Sequence, residues 1–293
     1  MKKSNLIGSL IVIGIIMIQV MGCQKISKIV DKEFNKKETV TLTEWVPDSI
    51  GKYNGSAVRE IDMVQELGYQ NRVEEYKNTY VLNSNKEAIM SNAIVWVPEL
   101  NQVVTYPNSY YTRELENKLY SYTKEVTIDQ SGVTIAPKYV KRIDENTMYD
   151  GISRTIATSV RNSKLIEKIG EEELNGIMAI KVKVVYAFDG DEYLADLDLK
   201  KTDVSGVAGY IELMDKMEAE GYLETVFWFQ KDNHKLLYSE RNMTSYQQFI
   251  YYYEIAMYGN TEDMPVSSIL KVNYKTGNEC QTIKVPKKYK VEK

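Results

Sequence analysis

The sequence is short of the side chains from which most protein chemistry is built. Its 293 residues hold one histidine and two cysteines, too few nitrogen and sulfur ligands for a zinc site of ordinary count. The histidine, His234, stands in the polar stretch Lys231-Asp232-Asn233-His234, the setting of a solvated surface imidazole. No nucleophile elbow, Walker loop or dinucleotide fingerprint occurs. The glycines of Gly170-Glu-Glu-Glu-Leu-Asn-Gly176 precede no helical pattern, so this stretch is not expected to cradle a phosphate. An excess of positive charge is missing too. Lys and Arg number 37 against 41 Asp and Glu, a formal net charge of −4, which argues against a nucleic-acid binder and offers little attraction to an anionic bilayer. Carboxylates gather at Asp189, Asp191, Glu192, Asp196, Asp198 and Asp203, but without the order and closing Glu of an EF-hand loop; a solvated face is expected. These absences lead to the expectation of a protein that is not an enzyme and holds no cofactor or metal. A carboxylate pair of the glycosidase type, recognised by distance and not by spacing, stays open.

Long apolar runs are also lacking. The stretch Leu6 to Met21 falls short of the roughly 20 apolar residues that span a bilayer. With Lys2 and Lys3 before it and Gly22 after it, it describes a signal peptide over residues 1–22. The end of that run, Val20-Met21-Gly22-Cys23, resembles the lipobox of bacterial lipoproteins, with an aliphatic residue at −3, a small one at −1 and the obligatory cysteine at +1. Met21 at −2 departs from the commoner Ala or Ser. The resemblance implies lipid on the Cys23 sulfur, cleavage after Gly22, and a protein held on the extracytoplasmic face of the cell membrane. Each acyl CH₂ buried would contribute about 0.8 kcal/mol to that anchorage. Cys280 is then left without an intramolecular partner, and a buried, inert thiol is expected there. Residues 23–41 are polar and Lys-rich and read as a tether, although Ile26, Ile29, Val30 and Phe34 could form a short amphipathic stripe.

Residues 42–293 hold ample hydrophobic content for a core. A helix is expected over Ser56–Leu67, where Val58, Ile61, Val64 and Leu67 repeat at three and Gly68 follows. Strands are expected at Tyr76–Asn83, Ala93–Pro98, Val103–Pro107 and Lys118–Ile128, the second and third joined as a hairpin. Asn175-Gly176 is a strong hairpin signal because a type I′ turn needs positive φ at both positions. After it, Ile177–Tyr186 alternates cleanly, with Met178, Ile180, Val182, Val184 and Tyr186 on one face. A second helix is expected over Gly206–Glu220, capped by Ser205 and closed by Gly221, with Val207, Tyr210, Ile211, Met214 and Met217 as its buried stripe. Beyond it the pattern reads as strand throughout: Tyr222–Gln230, Lys235–Tyr246, Phe249–Tyr258, Ser267–Tyr274 and Glu279–Val285.

Three segments, IGEEELNGIMAIKVKV (Ile169–Val184), TVFWFQKDNHKLLYSE (Thr225–Glu240) and IKVP (Ile283–Pro286), resemble the half-barrel family of lipoprotein-localisation factors and their lipoprotein relatives. Gly170, Gly176 and Trp228 stand at the places of that family's G-x-E-x-x-x-G hairpin and aromatic strand, with Glu173 one residue past the motif's glutamate position. The likeness runs in order from about Asp62 to Pro286. Ser109–Asn162 is longer than the pattern, leaving room for an insertion or small subdomain at about 109–162. What the resemblance implies is an α+β fold: a curved antiparallel β-sheet, or half-barrel, with helices on its concave face. That face would enclose an apolar cavity, lined here by Tyr210, Ile211, Met214, Met217, Ile180, Val182, Phe227 and Trp228. The expected partners are the membrane, through Cys23, and a lipid or other hydrophobic small molecule. The alternative is a partner-binding lipoprotein that scaffolds or regulates an envelope protein. A transporter's solute-binding lipoprotein would need two α/β lobes, and the strand pattern after Gly221 speaks against it.

Overall fold

A computed structural model of the chain describes residues 38–82, 88–91, 93–97, 102–106, 109–115, 118–128, 134–144, 163–196, 199–259, 263–282 and 290–291. In chain order they form α1 (Glu38–Asn54), β1 (Arg59–Gly68), β2 (Val73–Leu82), β3 (Ala88–Ser91), β4 (Ala93–Val97), β5 (Gln102–Tyr106), β6 (Ser109–Leu115), β7 (Lys118–Ile128), β8 (Thr134–Asp144), β9 (Ser163–Leu174) and β10 (Ile177–Tyr186). There follow α2 (Gly190–Asp196), the single turn α3 (Lys201–Val204), α4 (Tyr210–Glu220), β11 (Tyr222–Gln230), β12 (Leu236–Asn242), α5 (Thr244–Tyr258), β13 (Ser267–Thr276), a 3₁₀ turn at Gly277–Glu279 and β14 (Lys290–Val291). Twelve strands make one sheet in the order β14-β8-β7-β6-β3-β2-β1-β13-β12-β11-β10-β9, and β4 pairs with β5 apart from it. Every neighbour is antiparallel except β14, which runs parallel to β8. The fold is α+β, an open curved half-barrel with helices on its concave face.

Several expected elements stand where the sequence puts them. Asn175 and Gly176 take φ of 51° and 81°, and β9 and β10 pair across them. The β4–β5 hairpin forms with Ala93 opposite Tyr106. Gly221 closes α4 with φ 86°, and no other residue fits there. A Cβ would meet Val185 Cγ1 at 2.5 Å and the Tyr186 carbonyl oxygen at 2.7 Å, so glycine lets the chain turn tightly from α4 into β11.

Four expectations are corrected. Ser56–Leu67 is not a helix; Arg59–Gly68 is the strand β1, paired with β2 on one side and β13 on the other. The segment satisfies both periods, and the sheet decides. At period two, Ile61, Gln65 and Leu67 are buried, while Glu60, Asp62 and Glu66 share the opposite face with Lys275 and Lys271. The first helix lies earlier. α1 begins at Glu38, within residues expected to be tether, and presents Leu42, Val46, Ser49, Ile50 and Tyr53 as one buried stripe; Pro47 lies inside it. Phe249–Tyr258 is helical, as the C-terminal part of α5, and Tyr246, Phe249 and Ile250 repeat at helical spacing, Tyr246 in the sheet cluster, Phe249 in the helical one and Ile250 against both. Finally, Glu279 sits in the 3₁₀ turn and not in a strand, while 283–285 lie outside the described residues. β6, β7 and β8 extend the main sheet through the β3–β6 pair; 145–162 are outside the described residues.

The convex face carries the charge. Lys275 Nζ lies 2.7 Å from Glu60 Oε1 and 2.6 Å from Asp62 Oδ2, and Thr79 donates to Asp62 Oδ1 at 2.7 Å. Burial alone would raise the Asp62 pKa, but the hydrogen bonds from Lys275 and Thr79 outweigh it and hold the carboxyl below its ordinary range. A carboxyl depressed on folding stabilises above its unfolded pKa of about 3.9, and that stability is lost as pH falls through the folded value. Urea midpoints measured from about pH 5 down to about pH 2 should therefore drop less steeply for Asp62→Asn than for the parent.

Candidate ligand site on the concave face

Two apolar clusters meet on the concave side. The larger joins α1 to the inward residues of the sheet, among them Ile180, Val182, Val184, Tyr186, Phe227, Phe229, Leu236, Leu270 and Val272. The register explains the membership. Val182 faces Phe227 and Ile180 faces Phe229 across the β10–β11 pair, so alternate residues of neighbouring strands point the same way. The smaller cluster is built by the helices, with Leu194, Val204, Tyr210, Met214, Met217 and Phe249 at its centre. Tyr222 and Ile250 pack against both and join them.

The expected lining residues are thus distributed and not gathered on one wall. Ile180, Val182 and Phe227 belong to the sheet cluster, whereas Tyr210, Met214 and Met217 with Ile211 beside them belong to the helical one. Trp228 lies on the other side. It follows Phe227 in the strand and so faces outward, where its Nε1 donates to Glu172 Oε1, Lys181 Nζ lies 5.1 Å from its ring, and Tyr238 packs at 4.9 Å. The contribution of α5 is not legible in the sequence, because the run from Phe249 has the composition of a strand. Phe249 is the hub of the helical layer, with ring centroids 4.9 Å from Tyr210, 4.9 Å from Tyr193 and 5.4 Å from Phe188.

Tyrosine hydroxyls of the helices enter this interior. The Tyr210 hydroxyl is buried without a hydrogen-bond partner among the described residues, and the Tyr246 hydroxyl is buried with that of Tyr193 beside it. Burial raises both phenols well above the ordinary value; Tyr193 and Tyr253 add to the effect on Tyr210, and Tyr193, through charge and a hydrogen bond, and Tyr222 to that on Tyr246. Tyr193 is the common neighbour, so the two hydroxyls approach one region from α4 and α5. Both stay protonated and can donate. A buried hydroxyl left unpaired costs about 1–3 kcal/mol, which is a standing reason to expect a polar atom of a guest beside it. Tyr210→Phe should accordingly raise the stability of the empty protein by about 1 kcal/mol or more, measured as a higher urea midpoint at unchanged slope. A loss of stability would show that the hydroxyl is already satisfied.

The remaining chemistry-bearing residues take structural places. His234 is not a freely solvated imidazole: it has φ 56° and stacks on Trp45 of α1 at 4.2 Å, with 22° between the planes. The β11–β12 turn is thereby pinned to the helix. Asp189 accepts the Glu192 N–H at 2.9 Å and Asp203 that of Lys200 at 2.8 Å, while Asp191 faces Lys201 at 3.5 Å. Asp196 ends α2, and Asp198 is outside the described residues. Among the described residues no group of three His, Cys, Asp or Glu side chains is placed to hold a metal ion. Cys280 is half-buried and unpaired; burial, with the nearby Glu60 and Glu279 carboxylates, pushes its thiol up to about 11. Cys23 lies outside the described residues, as do residues 1–22, expected as a signal peptide, and most of residues 23–41, expected as a tether.

No protein-family model and no curated protein matches the chain. Among solved structures it is similar to LprF from Mycobacterium bovis, at 12% identity over 84% of this chain and 97% of that one, with a TM-score of 0.42. It is also similar to the Mycobacterium tuberculosis lipoprotein LppX, at 10% identity over 84% and 99% with a TM-score of 0.41. A LolA superfamily protein from Nitrosomonas europaea is similar at 9% identity over 78% and 91%, with a TM-score of 0.23.

Proposed function

We propose that this protein is an exported lipoprotein, anchored through lipid on Cys23 to the extracytoplasmic face of the cell membrane. Without catalysing a reaction, it binds a lipid or other hydrophobic molecule between the concave sheet face and the helices. The observation that carries the reading is the unpartnered hydroxyl of Tyr210, set in an interior of Met, Phe, Ile and Leu with the Tyr246 and Tyr193 hydroxyls near it. An interior that served packing alone would gain by having phenylalanine at position 210. A guest with an apolar body and a polar atom fits such a wall, because pockets for small molecules are mostly apolar with a few placed donors. Among the described residues no helix is long and apolar enough to cross a membrane.

The binding test is a thermal titration of residues 24–293, which carry every described element, with palmitate and without detergent. A ligand that binds only the folded state stabilises it by about 2.7 kcal/mol at 100 times its Kd, so Tm should climb steadily with concentration. A flat Tm up to the solubility limit would count against the reading. The anchor is tested separately. Cys23→Ala should abolish incorporation of a fatty-acid analogue in growing cells, and the variant should remain uncleaved or be released; labelling equal to the parent's would contradict lipidation at Cys23.

A further inference from the structure

A buried cation lies on the same concave face. Arg241 of β12 stands between Thr225 of β11 and Leu270 of β13 in the register and is 8% exposed. Its Nε donates to Thr225 Oγ1 at 2.9 Å, and one Nη reaches Tyr186 Oη at 3.4 Å. The guanidinium carbon lies 5.2 Å from the centre of the Tyr186 ring. All of these partners are neutral. Among the described residues no carboxylate forms an ion pair with Arg241; Glu240, its neighbour in the strand, points to the convex face with Tyr238.

Buried charges are ordinarily paired, since an isolated ion loses far more on leaving water than a neutral hydrogen bond returns. Two hydrogen bonds occupy two of the five N–H donors that a guanidinium carries, and the one to Tyr186 is long beside the ~2.7–2.9 Å of a charge-assisted bond. The surroundings are polar without being charged. Ser239 Oγ and Tyr274 Oη lie 3.0 Å apart on the same face, and Tyr274 lies within the field of the Arg241 charge. From this point a line of phenols leads to the helical layer. Tyr186 faces Tyr222 across the β10–β11 pair, and Tyr222 packs on Tyr246 at 6.2 Å. A neutral hydrocarbon guest would use the apolar walls and leave the cation uncompensated.

We propose that Arg241 holds the anionic group, a carboxylate or phosphate, of an amphiphile whose acyl part lies among the apolar side chains of the concave face. This rests on the hydrophobic-ligand reading and specifies its ligand class. The planar fork of an arginine suits two oxygens of such a group at once, which a lysine ammonium does not. Tyr186 and Thr225 hold the guanidinium in place.

The test titrates residues 24–293, free of detergent, with palmitate, 1-palmitoyl lysophosphatidate, the uncharged monopalmitoylglycerol and inorganic phosphate, read by calorimetry. Both anionic amphiphiles are expected to bind at least tenfold more tightly than the uncharged one. Arg241→Gln should remove that preference while leaving the affinity for monopalmitoylglycerol unchanged, and Arg241→Lys should restore part of it. Should Arg241→Gln fail to fold, Tyr186→Phe is read in its place and should reduce the preference. Equal affinity for charged and uncharged amphiphiles, unaltered in these variants, would overturn the anion site and leave the hydrophobic-ligand reading standing. Binding of none of the amphiphiles would overturn both. Inorganic phosphate binding as tightly as lysophosphatidate would assign Arg241 to a free anion and overturn the amphiphile.

Discussion

Ile50→Asp is expected to destabilise the protein by more than about 4 kcal/mol, the range reserved for an unpaired charge forced into a core. Ile50 is 0% exposed in the middle of α1, packed in the cluster that includes Val46, Phe229 and Leu236. A carboxylate there would sit among apolar side chains, so either α1 lifts from the sheet or the side chain becomes protonated at a large cost. Lys52→Ala, two residues on, serves as the control. Lys52 and Asp48 form an ion pair whose side chains are 68% and 60% exposed, and such surface pairs contribute between 0 and about 1 kcal/mol. At roughly 2–4 °C per kcal/mol for a domain of this size, the two variants should separate by ten degrees or so in Tm. Equal Tm values would mean that α1 does not cover the sheet.

Phe229→Ala carries the second large effect. Phe229 is fully buried on the inward face of β11, with Trp45 edge-on at 4.9 Å and Phe227 at 5.9 Å. Truncation removes the ring and leaves a cavity between α1 and the sheet, a change that costs about 3–5 kcal/mol at such sites. Val226, on the outward face of the same strand and half-buried, provides the comparison. Val226→Ala should cost on the order of 1 kcal/mol, and urea unfolding of both variants would check the inward and outward assignment of β11. Were Val226→Ala the more damaging of the two, the faces would be exchanged.

Sequence periodicity carried the fold wherever one period alone fitted. Ile177–Tyr186 alternates, and Ile180, Val182, Val184 and Tyr186 of the expected face are buried, whereas Met178 at its start is exposed and Ala179 of the other face is buried; Asn175-Gly176 announces its turn because few other pairs accept positive φ twice. Tyr210, Met214 and Met217 recur at helical spacing and are buried as α4 requires. The helix α1 was hidden because Pro47 and Gly51 both read as helix breakers, and tertiary packing of Val46 and Ile50 overrode them. β1 was misread since Val58, Ile61, Val64 and Leu67 satisfy a helical stripe as well as a strand, and only its two partner strands decide. In α5 the aromatic run Phe249 to Tyr253 carries the composition of a strand, while its length and the Gly259 cap, with φ 64°, are those of a helix.

The site was legible in the same uneven way. Ile180, Val182 and Phe227 followed from alternation. Trp228 did not belong with them because adjacent strand residues face opposite sides, so a motif that names two neighbours selects only one for the interior. Arg241 carried no signal at all. In Ser239-Glu240-Arg241-Asn242 it reads as one more surface charge, and its burial follows from the pairing of β11, β12 and β13.

Native mass spectrometry of residues 24–293, purified from cells without detergent, tests the central claim most directly. The expected spectrum shows the protein together with a species heavier by the mass of an acyl-chain molecule, released on collisional activation and diminished in the Tyr210→Phe and Arg241→Gln variants. A single species at the mass of the bare chain, unchanged after incubation with palmitate or lysophosphatidate, would contradict the claim that the concave face holds a hydrophobic ligand.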